Sequence, residues 1–239
     1  TMHHLCIDSM HSADLGCFAD ALGSLFHLEV GNQQWYPTRE RGLVELNTAL
    51  RDFYKANRHK NLSSLYPLQM AQIVATGKCP FLKAKAAQVR HLADFGLILA
   101  NRYKHGGPEH APLLFKANHR LSGCSADYLD HLVSMFDGMV KYLRSLRATP
   151  FLDEPCKLGM MQFLSSLSAL NQLWARDVPE DSQKTLPFHL RQKAHMLEHL
   201  VLDQIARTGS PASSWCYRDE DFVGSVKSIA AKIKNKTHP

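Results

Sequence analysis

Apolar residues recur at intervals of three and four along most of the chain, which is the spacing of amphipathic helices. Over 11–30 the stripe is Leu15, Phe18, Ala19, Leu22, Leu25 and Phe26, and Gly31-Asn32 supplies a stop. Over 39–57 it is Leu43, Leu46, Leu50, Phe53 and Tyr54. A short helix is expected over 68–75 behind Pro67. Pro80 opens a longer one through Leu82, Ala86, Val89, Ala93, Leu97 and Ala100. Gly106-Gly107-Pro108 breaks that helix, and a further segment runs to about residue 121. Ser125 suits the N-cap of a helix over 126–146, and another is expected over 155–175. A polar linker over 177–184 precedes 190–206, which is helical throughout or begins as a strand and turns helical. The last helix, 219–234, carries Phe222, Val226, Ile229 and Ile233. The string His4-Leu5-Cys6-Ile7-Asp8 reads as a short buried strand running into a turn. The pattern predicts a mostly α protein with one or two strands near its ends, and it contains no internal repeat.

Composition narrows the class. The 239 residues are 45% hydrophobic and 21% charged, enough to bury a core and too apolar for wholesale disorder. No run of about 18 uncharged apolar residues occurs, so no membrane span is expected. The six cysteines (6, 17, 79, 124, 156 and 216) show no C-x-x-C pairing, and the first residues lack the pattern of a secretory leader. An intracellular protein is expected, nuclear if the source is eukaryotic, without a small-molecule cofactor. The abrupt start at Thr1 reads as a piece of something longer.

The formal charge of +6 gains meaning once located. Twelve Lys or Arg between Arg51 and Arg120 face only Asp52, Asp94 and Glu109, so this stretch is +9 and the remainder −3. Lys227, Lys232, Lys234 and Lys236 form a second block free of acids. Basic blocks attract phosphate backbones by counterion release, and DNA is the expected partner, with self-association a further possibility. Lys83, Lys85, Arg90, Arg102 and Lys104 are the candidate DNA contacts in the first block. A solvated helix face accounts for the same pattern.

Three constellations carry candidate chemistry. Asp8-Ser9-Met10-His11 places a carboxylate at a strand end with His three residues on, which suits metal binding or proton transfer; spacing alone favours Asp8 as a plain helix cap with His11 packed in the first turn. Asp219-Glu220-Asp221 at a helix start favours the macrodipole, or directs one acid into a shared Mg²⁺ or Mn²⁺ site. Lys193-Ala194-His195-Met196-Leu197-Glu198-His199 puts two His one helical turn apart and contains H-x-x-E-H, the inverted zinc-peptidase motif. A peptidase needs a further downstream Glu ligand, and Glu220 is the only Glu that follows.

Asp8-Ser9-Met10-His11-Ser12-Ala13-Asp14-Leu15-Gly16 resembles the D-x-M-H-x-x-x-L-G signature around the second catalytic Asp of CACTA-like DNA transposases, the CACTA, Mirage and Chapaev group. Glu220-Asp221-Phe222-Val223-Gly224-Ser225-Val226-Lys227 is similar to the E-R-Y-M-G-x-L-K helix that holds the group's third acid. Lys193, His195 and His199 match a K-x-H-x-x-x-H-like segment upstream of it. The resemblance covers mainly 1–30 and 186–239. It implies a partial RNase H-like α/β core made by those two ends, with 31–185 as an all-helical basic insertion. It further implies that Asp8 and Glu220 hold Mg²⁺ or Mn²⁺ for DNA phosphodiester cleavage and strand transfer, that His11 orients a ligand or the scissile phosphate, and that Lys227 contacts DNA.

The group's first catalytic Asp lies on a strand well upstream of the second, and Asp8 has only seven residues before it. The polypeptide alone is therefore expected to be an incomplete nuclease of the DDE/D type. The alternative is a helical DNA-binding or protein-interaction module without chemistry.

Overall fold

The computed structural model describes residues 7–31, 36–73, 78–105, 125–148, 154–176 and 185–204, with single positions at 180, 207, 211 and 226. Regular structure among the described residues is helical throughout, with no strand. The helices are α1 (Ala19–Val30), α2 (Arg39–Ala56), α3 (Ala86–His91), α4 (Ala93–His105), α5 (Ser125–Ala148), α6 (Glu154–Ala175) and α7 (Gln192–His199). A wider π-helical segment, Met10–Phe18, leads into α1, and another, Leu200–Gln204, continues α7. None of these helices is long and apolar enough to cross a membrane.

Helix α1 is the axis of the fold. Every residue from Ala19 to Val30 is buried except His27, which is half-buried. A helix covered on all sides must satisfy its polar side chains from neighbours. Asp20 receives Arg191, Ser24 accepts from the Phe188 amide at 2.9 Å, and Glu29 receives Tyr36, Arg102 and Tyr103. Phe188 is held with φ at 57°, a conformation that a bulky side chain takes only when its surroundings impose it. Its complete burial and the bond to Ser24 supply that constraint.

Around this axis α2 and α4 pack, α3 and α7 pack on the Met10–Phe18 segment that leads into it, and α5 and α6 run antiparallel beside them. Gly138 and Gly159 bring the α5 and α6 backbones into contact: a Cβ on Gly138 would stand 2.6 Å from the Gly159 carbonyl oxygen, and one on Gly159 2.7 Å from the Tyr142 nitrogen. Phe18 closes the space between them edge-on against Phe163 and Tyr142, with centroids at 5.0 and 5.9 Å. A single apolar cluster runs from Ala13 through Leu46, Phe95 and Phe136 to Leu197 and Val201, joining residues from all three stretches that the resemblance separates.

Several expectations change. Ile7 and Asp8 join no sheet, and the rest of the expected strand, 1–6, lies outside the described residues. The helix expected from Pro80 begins only at Ala86 and breaks at Leu92. Between them the chain runs sideways, with Leu82 donating to the Ala19 carbonyl at 2.8 Å and Lys83 to Gln72 at 2.8 Å, so their amides are taken before a helix can form. Of the short helix expected over 68–75, the described residues to Ile73 hold one 3₁₀ turn, Met70–Gln72, and 74–75 lie outside the described residues. The segment over 108–121 and, save for Val226, the helix over 219–234 lie outside the described residues.

Candidate functional site

Asp8 sits just ahead of the first helical segment. Its carboxylate accepts from the amides of Met10 and His11, both at 3.2 Å, and from the His11 ring Nδ1. It therefore acts as a helix cap and also as half of a carboxylate–imidazole pair, with His11 half exposed at 49%. Glu220, the acid expected to share a metal with Asp8, lies outside the described residues, as does Lys227. Among the described residues no three His, Cys, Asp or Glu side chains converge on a metal position. One carboxylate already holding these donors does not make a Mg²⁺ site by itself.

The other motif segment lies against this one. Gly16 leaves the helical region, with φ −115° and ψ −111°, and the chain kinks there within the Met10–Phe18 segment, three residues before α1. Lys193 from α7 donates its ammonium to the Leu15 carbonyl at 3.0 Å. A Cβ on Gly16 would stand 2.8 Å from Lys193 Cδ, so only a residue without one lets the lysine stem cross so closely. Farther along, Gln204 brackets Ile7, accepting from its amide at 2.5 Å and donating to its carbonyl at 3.1 Å. The two attachments run in opposite directions, fixing α7 and its continuation antiparallel to 7–16. Burial and the Arg191 guanidinium lower the Lys193 pKa below the ordinary lysine value.

Arg191 itself binds Asp20, with Nε at 2.8 Å from Oδ2, at the start of α7 where a cation opposes the helix dipole. The buried carboxylate offsets that opposition. Cys17, one turn away on the opposing segment, has its thiol pushed up to about 12 by burial. It is an inert core residue.

The basic candidates divide by position. Lys83 and Lys85 are exposed. Arg102 and Lys104 reach the surface while binding Glu29 and Asp130, the latter at 2.7 Å. Arg90 does not: its guanidinium is 13% exposed and pairs with buried Asp14 at 2.7 Å. It is part-buried, and its ion pair with Asp14 gives it a structural role. Arg51, Lys55 and Arg58, which were not among the named candidates, line one groove with Asp52 and Tyr66. Arg51 and Lys55, four apart on α2, were the available signal, with Arg58 in the 3₁₀ turn just beyond it. The strap that presents Tyr66, 46% exposed, is pinned by Leu65 donating to Tyr54 at 2.9 Å, Ser63 to His91 at 2.7 Å, and Gln88 to Ser64 at 2.6 Å.

His195 and His199 lie on the exposed face of α7, their Nε2 atoms 3.1 Å apart. His199 Nδ1 meets Asp203 at 2.6 Å. Glu198 stands 3.7 Å from His195 Nδ1, the ring nitrogen that does not face the other imidazole. The catalytic arrangement of a zinc peptidase would place that carboxylate in the space shared by the metal ligands. No family model, curated protein or solved structure matches this chain.

Proposed function

We propose that this chain is a DNA-binding part of a transposase-like DDE/D core, in which Asp8 and Glu220 serve as two of the acids that hold Mg²⁺ or Mn²⁺. The observation that carries this reading is the contact of Lys193 with Leu15 and Gly16, 178 positions apart in sequence for the hydrogen-bonded pair. Leu15-Gly16 closes the D-x-M-H-x-x-x-L-G string, and Lys193 opens the K-x-H-x-x-x-H string. Two chance matches have no reason to touch. In this reading Asp8 and Glu220 belong to an RNase H-like part, His11 orients the Asp8 carboxylate, and the helical middle grips DNA. The groove of Arg51, Lys55 and Arg58 suits backbone phosphates, and Tyr66 offers an aromatic face beside them.

A second reading, a helical DNA-binding module without chemistry, draws support from the use of Asp8 as a helix cap. One experiment separates them. Binding of the full chain to duplex DNA is followed across salt concentrations, together with nicking in Mg²⁺ and Mn²⁺ and with uptake of Mn²⁺. Divalent-dependent nicking lost in Asp8→Asn and in Glu220→Gln supports the catalytic reading. Salt-sensitive binding with neither nicking nor Mn²⁺ uptake, unchanged by those substitutions, supports the module; Mn²⁺ uptake lost in the same two variants supports the catalytic reading even where this chain does not nick. No binding to DNA at about 50 mM salt overturns both.

A further inference from the structure

Tyr66 stands at the groove of Arg51, Lys55 and Arg58 because the chain holds it there. After α2, Asn61 takes the left-handed conformation at φ 49°, which asparagine tolerates, and the chain reverses to run back along the helix. Its course is fixed at two points. The Leu65 amide donates to the Tyr54 hydroxyl at 2.9 Å. Leu68 meets Asn47 twice, its amide donating at 2.7 Å and its carbonyl accepting at 2.9 Å. Leu65 and Leu68 are buried at these points, while the two residues between them, Tyr66 and Pro67, are exposed. From the other side Gln88 of α3 donates to the Ser64 carbonyl at 2.6 Å. An exposed aromatic ring on a strap tied to two helices needs little further ordering when a ligand covers it.

The setting of the ring points to the chemistry of that ligand. Arg51 and Lys55 lie one turn apart on α2 and Arg58 follows in the 3₁₀ turn, so three exposed cations line up beside the ring. Asp52 opposes them within the groove, which leaves an excess of positive charge. The groove has a volume of about 530 Å³, the size that takes an organic group rather than a single ion. An intact duplex would use the cations and leave the ring idle, because both faces of its internal bases are covered by neighbouring bases. An unpaired base has a face to offer, and its strand carries a phosphate on either side. Cations along a backbone with an aromatic ring for the base are the combination by which proteins hold single strands.

We propose that this groove holds an unpaired nucleotide of a DNA strand, with its base stacked on Tyr66 and its flanking phosphates on Arg51, Lys55 and Arg58. The inference rests on the DNA-binding reading above and narrows it from uninterrupted duplex to DNA with a single-stranded end or gap. Every base has a face to stack, so the groove selects for the unpaired state and not for sequence.

The test compares binding of the full chain to three labelled DNAs at one salt concentration. These are a blunt duplex, the same duplex with a short single-stranded tail, and that duplex with a tail of abasic sugar-phosphates, which keeps the charge and removes the bases. The parent chain is expected to prefer the base-bearing tail over both other DNAs by about 5- to 150-fold, the range for one stacked base. In Tyr66→Ala that preference is expected to fall to about onefold, and in Tyr66→Phe, which keeps the ring, to persist. The strap is held through the backbone of Ser64, Leu65 and Leu68, so circular dichroism of both variants is expected to match the parent. A tail that adds nothing in the parent, an abasic tail that serves as well as one with bases, or an undiminished preference in Tyr66→Ala overturns the inference. Loss of the preference in Tyr66→Phe as well assigns it to the hydroxyl and overturns stacking. In each of these cases salt-sensitive binding of the blunt duplex leaves the broader DNA reading in place, whereas binding to none of the three overturns both.

Discussion

Lys193 Nζ donates to the carbonyl oxygen of Leu15 at 3.0 Å, and the same side chain covers Gly16. One lysine thus serves a backbone oxygen freed at a bend and seals the bend against its neighbour helix. Lys193→Met keeps the apolar stem and removes the donor, which is expected to cost about 1–2 kcal/mol in urea unfolding. Gly16→Ala drives a methyl group into that stem and is expected to cost a similar amount. Because both changes act on one contact, their combination should fall short of the sum by about 0.5–1.5 kcal/mol. Strict additivity in this double-mutant cycle would show that the two residues act separately.

Asp14 and Arg90 form the most enclosed of the ion pairs described, at 3% and 13% exposure. Removing either charge leaves the other in the interior, so Asp14→Ala and Arg90→Met are each expected to lose about 3–5 kcal/mol. The folded fraction of Arg90→Met should bind DNA as the parent does. The triple change of Arg51, Lys55 and Arg58 to Gln should leave stability almost unaltered. It should also flatten the plot of log affinity against log salt by about 0.9 for each phosphate that is no longer neutralised. The reverse outcome, with Arg90 controlling the salt slope, would move the interface to the α3 side.

His27 makes folding sensitive to acid. Burial lowers its pKa below 6.5, with nearby Arg39 adding to the effect, and its Nδ1 has no hydrogen-bond partner among the described residues. The unfolded chain then takes up the proton more readily than the folded one. This contribution to stability is intact above about pH 6.5 and is lost as pH falls through the lowered folded value. Urea midpoints measured between pH 7.5 and about pH 5 should therefore decline less in His27→Gln than in the parent. Equal slopes would assign the acid sensitivity to other groups.

Gly138 and Gly159 set the spacing of α5 and α6. Either Gly→Ala change meets backbone atoms at 2.6–2.7 Å, which cannot rotate away as a side-chain end can. Each is expected to cost about 2–3 kcal/mol, read as a lower thermal midpoint. The double variant should cost less than the sum, because the first methyl group already parts the helices.

The long helices were legible because their apolar stripes are unbroken. The stripe in α2 and the Ser125 start of α5 place those elements within a residue or two of where they stand. The stretch after Pro80 was not legible, since hydrogen bonds to Ala19 and Gln72, distant in sequence, take its amides. The ion pair of Arg90 was hidden for the same reason. In a basic segment it looks like surface, and its partner Asp14 is 76 positions away. Lys193 and the two histidines stood out as a string, but spacing alone said nothing of Leu15 below or Asp203 beside. Local pattern fixes where helices form, while the pairing of buried charges depends on which helices meet.

The polar residues of α1 have a consequence for biosynthesis. Arg191 lies 171 positions after Asp20, and Phe188 lies 164 after Ser24. A ribosome making this chain releases α1 long before the groups that neutralise it exist. Until residues 188–191 emerge, that helix can sink into the nascent core only by taking an unmatched carboxylate and hydroxyl with it. The axis of the fold is therefore made well before it is secured, and the growing chain must carry it in water, or under a chaperone, in the interval.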